Sequence, residues 1–110
     1  MNLLAFIAAV SGAVAIVAGA FGAHGAEGRA VEWLRTGSQY QLLHAVAALV
    51  ALQIGARGPA WCFVVGAAVF AGTLYAMAEG APKWLGAVTP AGGLMMIAGW
   101  AWLAWVTFRG

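Results

Sequence analysis

Apolar residues fall into four long stretches without formal charge, 1–23, 36–56, 58–78 and 84–108. Each reaches the ~20 residues a helix needs to cross a ~30 Å hydrocarbon layer. Turn and cap chemistry then divides the chain. Glycine crowds the exit of the first stretch in Gly19-Ala20-Phe21-Gly22-Ala23-His24-Gly25, which ends a helix there. Ser38 and Gln41 have capping-box spacing, so a second helix is expected to start near Gln39. Gly55-Ala56-Arg57-Gly58-Pro59 marks a tight turn, and Pro82 stops the third helix. Thr89 is read as an N-cap with Pro90 at the first helical position, where its missing N–H costs nothing. The predicted helices are 2–22, 39–56, 60–79 and 90–108.

Between the first two lies a ten-residue segment, 26–35, holding Glu27, Arg29, Glu32 and Arg35. Ala26, Ala30, Val31 and Leu34 share one helical face, and Trp33 can anchor at the headgroup level. That pattern predicts a short interfacial helix. Trp84 marks one membrane boundary while Trp61, Trp102 and Trp105 mark the other. Small residues recur four apart as Ser11, Ala15, Gly19 and Ala23, with Ala8 and Gly12 beside them, and again as Ala68, Gly72, Ala76 and Gly80. Such ridges let backbones approach closely where lipid removes the hydrophobic drive for packing.

Composition sharpens this reading. Hydrophobic residues make up 65% of the chain and charged ones 7%, whereas a soluble domain carries charge on about a quarter of its residues. The surface must therefore meet acyl chains. The expected fold is an all-α membrane protein: a four-helix transmembrane bundle, one domain over 1–110, with the lipid bilayer as its first partner. A net charge of +2 with no Lys or Arg run excludes nucleic acid as a main partner. Cys62 is the sole cysteine, so no internal disulfide can form. Ala18-Gly19-Ala20 imitates a signal cleavage site, but no basic residue precedes Leu3. The first helix is expected to be retained.

Four antiparallel crossings put the helix 1–2 and helix 3–4 connections on one side, Y, and the Arg57 turn on the other, X. His24 leaves helix 1 at side Y. Tyr40, Gln41 and His44 share a face of helix 2, with Ala48 continuing it and Leu42, Val46, Leu49 and Val50 opposite. Tyr75 and Glu79 end helix 3, and Thr89 begins helix 4. His44 is expected about 9 Å below the helix 2 start. An ionisable group at that depth is a functional candidate that faces the bundle interior. The competing reading is a neutral imidazole tying helices together through Tyr40, Glu79 or a backbone carbonyl. The candidate polar site is thus His24, Tyr40, Gln41, His44, Tyr75, Glu79 and Thr89.

No chemistry beyond this is legible. His24, His44 and Glu79 lack a metal-ligand spacing, so no metal or other cofactor is expected. No nucleophile motif accompanies Ser11, and the chain has no aspartate; no catalytic residue is expected. Small multidrug exporters match the length and helix count but work around an acid in helix 1, absent here. Arg29, Arg35 and Lys83 on side Y against Arg57 and Arg109 on side X are too even a split to orient the chain.

Gly19 to Gly25, Tyr40-Gln41-Leu42-Leu43-His44-Ala45, Gly72-Thr73-Leu74-Tyr75, Thr89-Pro90-Ala91-Gly92-Gly93 and Gly99-Trp100 together resemble domain-of-unknown-function family 423. These are small bacterial membrane proteins related to human transmembrane protein 256. The resemblance implies a four-helix protein of the bacterial plasma membrane and marks His24, Tyr40, His44, Tyr75 and Thr89 as signature positions. It brings no established activity. The resulting expectation is a non-enzymatic accessory or scaffold protein, acting as a homo-oligomer or within a membrane-protein complex. The alternative is small-solute or lipid transport, or ligand binding, at a polar site around His44.

Overall fold

The computed structural model describes residues 2–110. Among them lie four long helices: α1 Leu3–His24, α2 Arg29–Gln53, α3 Arg57–Ala78 and α4 Thr89–Arg109, with a short 3₁₀ helix Lys83–Ala87 before α4. Asn2 opens α1, its side chain accepting from the Ala5 N–H at 3.1 Å. That satisfies one of the orphan donors every helix start carries. Both α2 and α3 close on the same device. Gly55 and Gly80 adopt positive φ, 78° and 101°. The Ala56 N–H reaches the Ala51 carbonyl and the Ala81 N–H reaches that of Ala76, at 2.8 and 2.9 Å. These are Schellman closures, which only glycine accepts without strain.

Two expectations need correction here. The segment 26–35 is not a separate interfacial helix, and no helix starts at Gln39: α2 runs unbroken from Arg29. The Ser38 hydroxyl donates to the Arg35 carbonyl at 3.1 Å instead of capping, because the preceding turns already satisfy the N–H groups a cap would serve. Gly37 does not break the helix. A Cβ there would lie 2.7 Å from Cε1 of Tyr75, so glycine lets an aromatic ring seat against the backbone. The amphipathic pattern itself is right: Leu34 is buried, while Arg29, Glu32 and Arg35 are exposed.

α1, α3 and the segment Lys83–Arg109 are long and apolar enough to cross a membrane. α2, at 25 residues, is long enough but carries charged first turns and a buried Gln41 and His44. Successive helices pack against one another, α1 on α2, α2 on α3 and α3 on α4, forming a slab of 46 × 27 × 19 Å. Leu4, Ala8, Ala48, Ala51, Ala60 and Phe63, all fully buried, fill the X end. Large apolar side chains such as Phe6, Val17, Leu94, Ile97 and Phe108 stand outward, where acyl chains are the solvent.

The α1 ridge packs as expected: Ala8 and Ala15 are buried, Gly12 faces Ala45 and Gly19 faces Ser38, although Ala23 lies exposed. The α3 ridge does not. Ala68 and Gly72 are exposed, and nothing lies within 4 Å of a Cβ built at Gly72. α3 instead meets α4 through Gly66 and Gly92; a Cβ on Gly92 would come within 2.6 Å of the Gly66 carbonyl oxygen. The backbones touch, and any side chain on Gly92 would separate them.

Candidate functional site

His44 is 4% exposed. It lies 15 residues from the first residue of α2 and nine from Gln53, the last, so about 22 and 13 Å along the axis. It therefore occupies the middle of the bundle, deeper than a helix starting at Gln39 would place it. Its two ring nitrogens are both spoken for. Nδ1 lies 2.7 Å from the Tyr40 carbonyl, which can only accept, so Nδ1 carries the proton. The Trp100 indole N–H, which can only donate, lies 3.0 Å from Nε2. The pair of partners fixes the neutral Nδ1–H tautomer. Phe63 and Trp100 meet the imidazole edge-on, with centroids 5.5 and 5.9 Å away.

A second chain of bonds joins three helices. Tyr75 Oη donates to Gln41 Oε1 at 2.6 Å, and Gln41 Nε2 donates to Ser11 Oγ at 3.1 Å. A third tie, Thr73 Oγ1 to Thr89 Oγ1 at 2.6 Å, joins α3 to α4. Thr89 thus begins α4 without capping it; its hydroxyl also reaches back to the Leu85 carbonyl at 3.3 Å. Among the described residues no buried side-chain nitrogen or oxygen lacks a partner. In hydrocarbon, where an unpaired polar group costs several kcal/mol, this pairing is what permits Gln41 and His44 to be buried.

The seven expected site residues therefore separate. Gln41, His44, Tyr75 and Thr89 enter the interhelical network. Tyr40 contributes its carbonyl to His44 while its ring, 46% exposed, stacks at a tilt on Phe70 with centroids 4.9 Å apart. His24 and Glu79 are exposed and border a surface recess together with Glu27; neither bonds to His44. Glu79 ends α3, as the C-cap of its Schellman closure. Among the described residues no three His, Cys, Asp or Glu side chains converge in a metal-holding group.

Ser11 and Trp100 are the partners that sequence reasoning missed. Ser11 reads in sequence only as a member of a small-residue ridge, yet the register of α1 on α2 brings its hydroxyl to Gln41. Trp100 sits inside an apolar stretch, and its one signal is general: a tryptophan away from the membrane boundary needs an acceptor for its indole N–H. Beside His44, between α2 and α4, a groove of about 500 Å³ is lined by Tyr40, Leu43, Phe70, Met96, Ile97 and Trp100.

A slab of apolar helices tied by a fully paired polar middle is a multi-pass integral membrane protein. The chain matches the family described as protein of unknown function (DUF423) over residues 18–93. It is 33% identical to a UPF0382 membrane protein of Haemophilus influenzae, covering 94% of this chain and 91% of that one. It is 36% identical to the UPF0382 inner membrane protein YgdD of Escherichia coli K12, over 91% and 85% of the two chains. No solved structure matches. This chain belongs to the DUF423/UPF0382 family of bacterial membrane proteins.

Proposed function

We propose that this protein is a non-catalytic accessory or scaffold component of the bacterial plasma membrane, acting as an oligomer or within a larger membrane complex. One observation carries the reading: every deep polar side chain spends its hydrogen bonds on a neighbouring helix of the same chain or on its own backbone. Such groups hold a shape. None is left free to activate a nucleophile or to shuttle a proton. The outward Ala68–Gly72 surface of α3 is suited to close helix packing by a second chain. Native purification followed by mass spectrometry tests the reading. A stoichiometric partner or a defined oligomer, lost in Gly72→Leu, is the expected result; a monodisperse monomer without partners overturns it.

A second reading is favoured by the groove beside His44, whose wall is almost wholly apolar and opens toward lipid. It is ligand binding or transport of a small apolar molecule or lipid. Ile97→Trp would fill that groove without touching the hydrogen-bond network. Unchanged flux or ligand-dependent thermal shift in this variant removes the transport reading.

A further inference from the structure

At the Y end, a recess of about 360 Å³ lies along the α1–α2 seam. Its α1 wall is Gly19, Gly22 and Ala23, and its α2 wall includes Arg35, Ser38 and Gln39. The glycines seat α1 closely on α2 beside it: a Cβ at Gly22 would lie 3.0 Å from Cβ of Leu34, and one at Gly19 would lie 3.2 Å from Ser38 Oγ. No carboxylate lines the cavity. The Ser38 hydroxyl is spent on the Arg35 carbonyl, while the interhelical bonds run through Ser11, Gln41 and Tyr75 and leave Arg35 and Gln39 out. What faces the recess is therefore a donor set with one full positive charge.

We propose that this recess binds the phosphodiester of a membrane phospholipid, held by the Arg35 guanidinium and the Gln39 amide. The chemistry is that of a phosphate: Arg presents a planar fork of N–H donors that matches two phosphate oxygens, and Gln39 adds a further N–H pair. The level decides the source. Gly19 lies five residues inside the last residue of α1 and Arg35 six residues inside the first residue of α2, about 8 and 9 Å along the axes. Arg35 is also the last charge before the uncharged stretch 36–56, so this level matches the change from headgroup to acyl chain. A lipid already carries its phosphate there, whereas a free ion would have to leave bulk water. Arg57 and Arg109 stand at helix ends and are not among the residues lining this recess. The proposal is independent of the association reading above.

Native mass spectrometry of the detergent-purified full chain, titrated with phosphatidylglycerol and in parallel with diacylglycerol, tests it. The wild type is expected to retain phosphatidylglycerol and not diacylglycerol. Arg35→Gln should weaken retention about tenfold, the effect of losing one charged hydrogen-bonding group. Ala23→Leu, which fills the recess and leaves Arg35 in place, should do the same, and Arg57→Gln should retain lipid as the wild type does. Circular dichroism establishes that each variant is folded. Equal retention by Arg35→Gln, equal loss in Arg57→Gln, or equal binding of diacylglycerol would overturn the proposal. Displacement of the lipid by millimolar inorganic phosphate would overturn its assignment to a lipid.

Discussion

The X end and the middle of this bundle are held by different forces. Leu4, Ala8, Ala48, Ala51 and Ala60 meet at the X end with almost no polar atom between them, and Phe63 closes that core beneath the His44 ring. Small side chains set the helices close there, and dispersion between well-fitted surfaces does the holding. Midway along, Ser11, Gln41, Tyr75, His44 and Trp100 replace shape by direction. A misfit of a few tenths of an ångström weakens an apolar contact slightly; in the polar middle, a one-residue slip of α1 on α2 would leave Gln41 without Ser11. The apolar end supplies affinity between helices, and the polar middle supplies their register.

That division makes a ranked set of outcomes, each readable by SDS-induced unfolding in mixed micelles. Phe63→Ala should cost most, about 3 kcal/mol, the low end for a buried aromatic because lipid supplies no transfer term. Gln41→Leu should come next at about 1–2 kcal/mol, since it removes two interhelical bonds and strands the Tyr75 hydroxyl. A larger cost for Gln41→Leu than for Phe63→Ala would reverse the assignment of roles. Trp100→Phe keeps the ring and deletes one bond, and about 0.6 kcal/mol is expected. A double-mutant cycle with His44→Ala should recover that coupling; none at all would mean the indole does not bond to Nε2. Ser38→Ala should stay within about 0.5 kcal/mol, because its hydroxyl serves only its own helix. A loss nearer the ~1 kcal/mol of a true N-cap would restore the separate helix start at Gln39.

Legibility in the sequence followed the same division. The apolar stretches, the glycine-rich exit of α1, the Gly55–Pro59 turn, Pro82 and Thr89-Pro90 place α1, α3 and α4 within three residues of their observed limits. The start of α2 was missed because Ser38 has two uses that look alike in sequence, capping the turn ahead or bonding to the carbonyl three residues behind. Gly37 compounded this: read alone it weakens a helix, and only Tyr75 overhead explains it. On α3, Gly66 and Gly72 are equally small, and the choice between them falls to α4, whose Gly92 faces Gly66. His44 was recognisable as deep and buried, but Trp100, 56 positions later, was not recognisable as its partner. Periodicity reports which face of a helix is buried, and carries no account of the height at which two helices meet.

The composition of α2 has a consequence for how the protein reaches its place in the membrane. α2 falls outside the helices apolar enough to cross by length and composition, yet it sits between α1 and α3. An amide and an imidazole count against a segment entering lipid alone. α1 precedes it and brings Ser11, but Tyr75 and Trp100 arrive only with α3 and α4. The polar groups of α2 are thus satisfied in the bilayer only once α3 and α4 are packed against it. Of the four helices, α2 is the one whose polar groups are paired by residues of all three others.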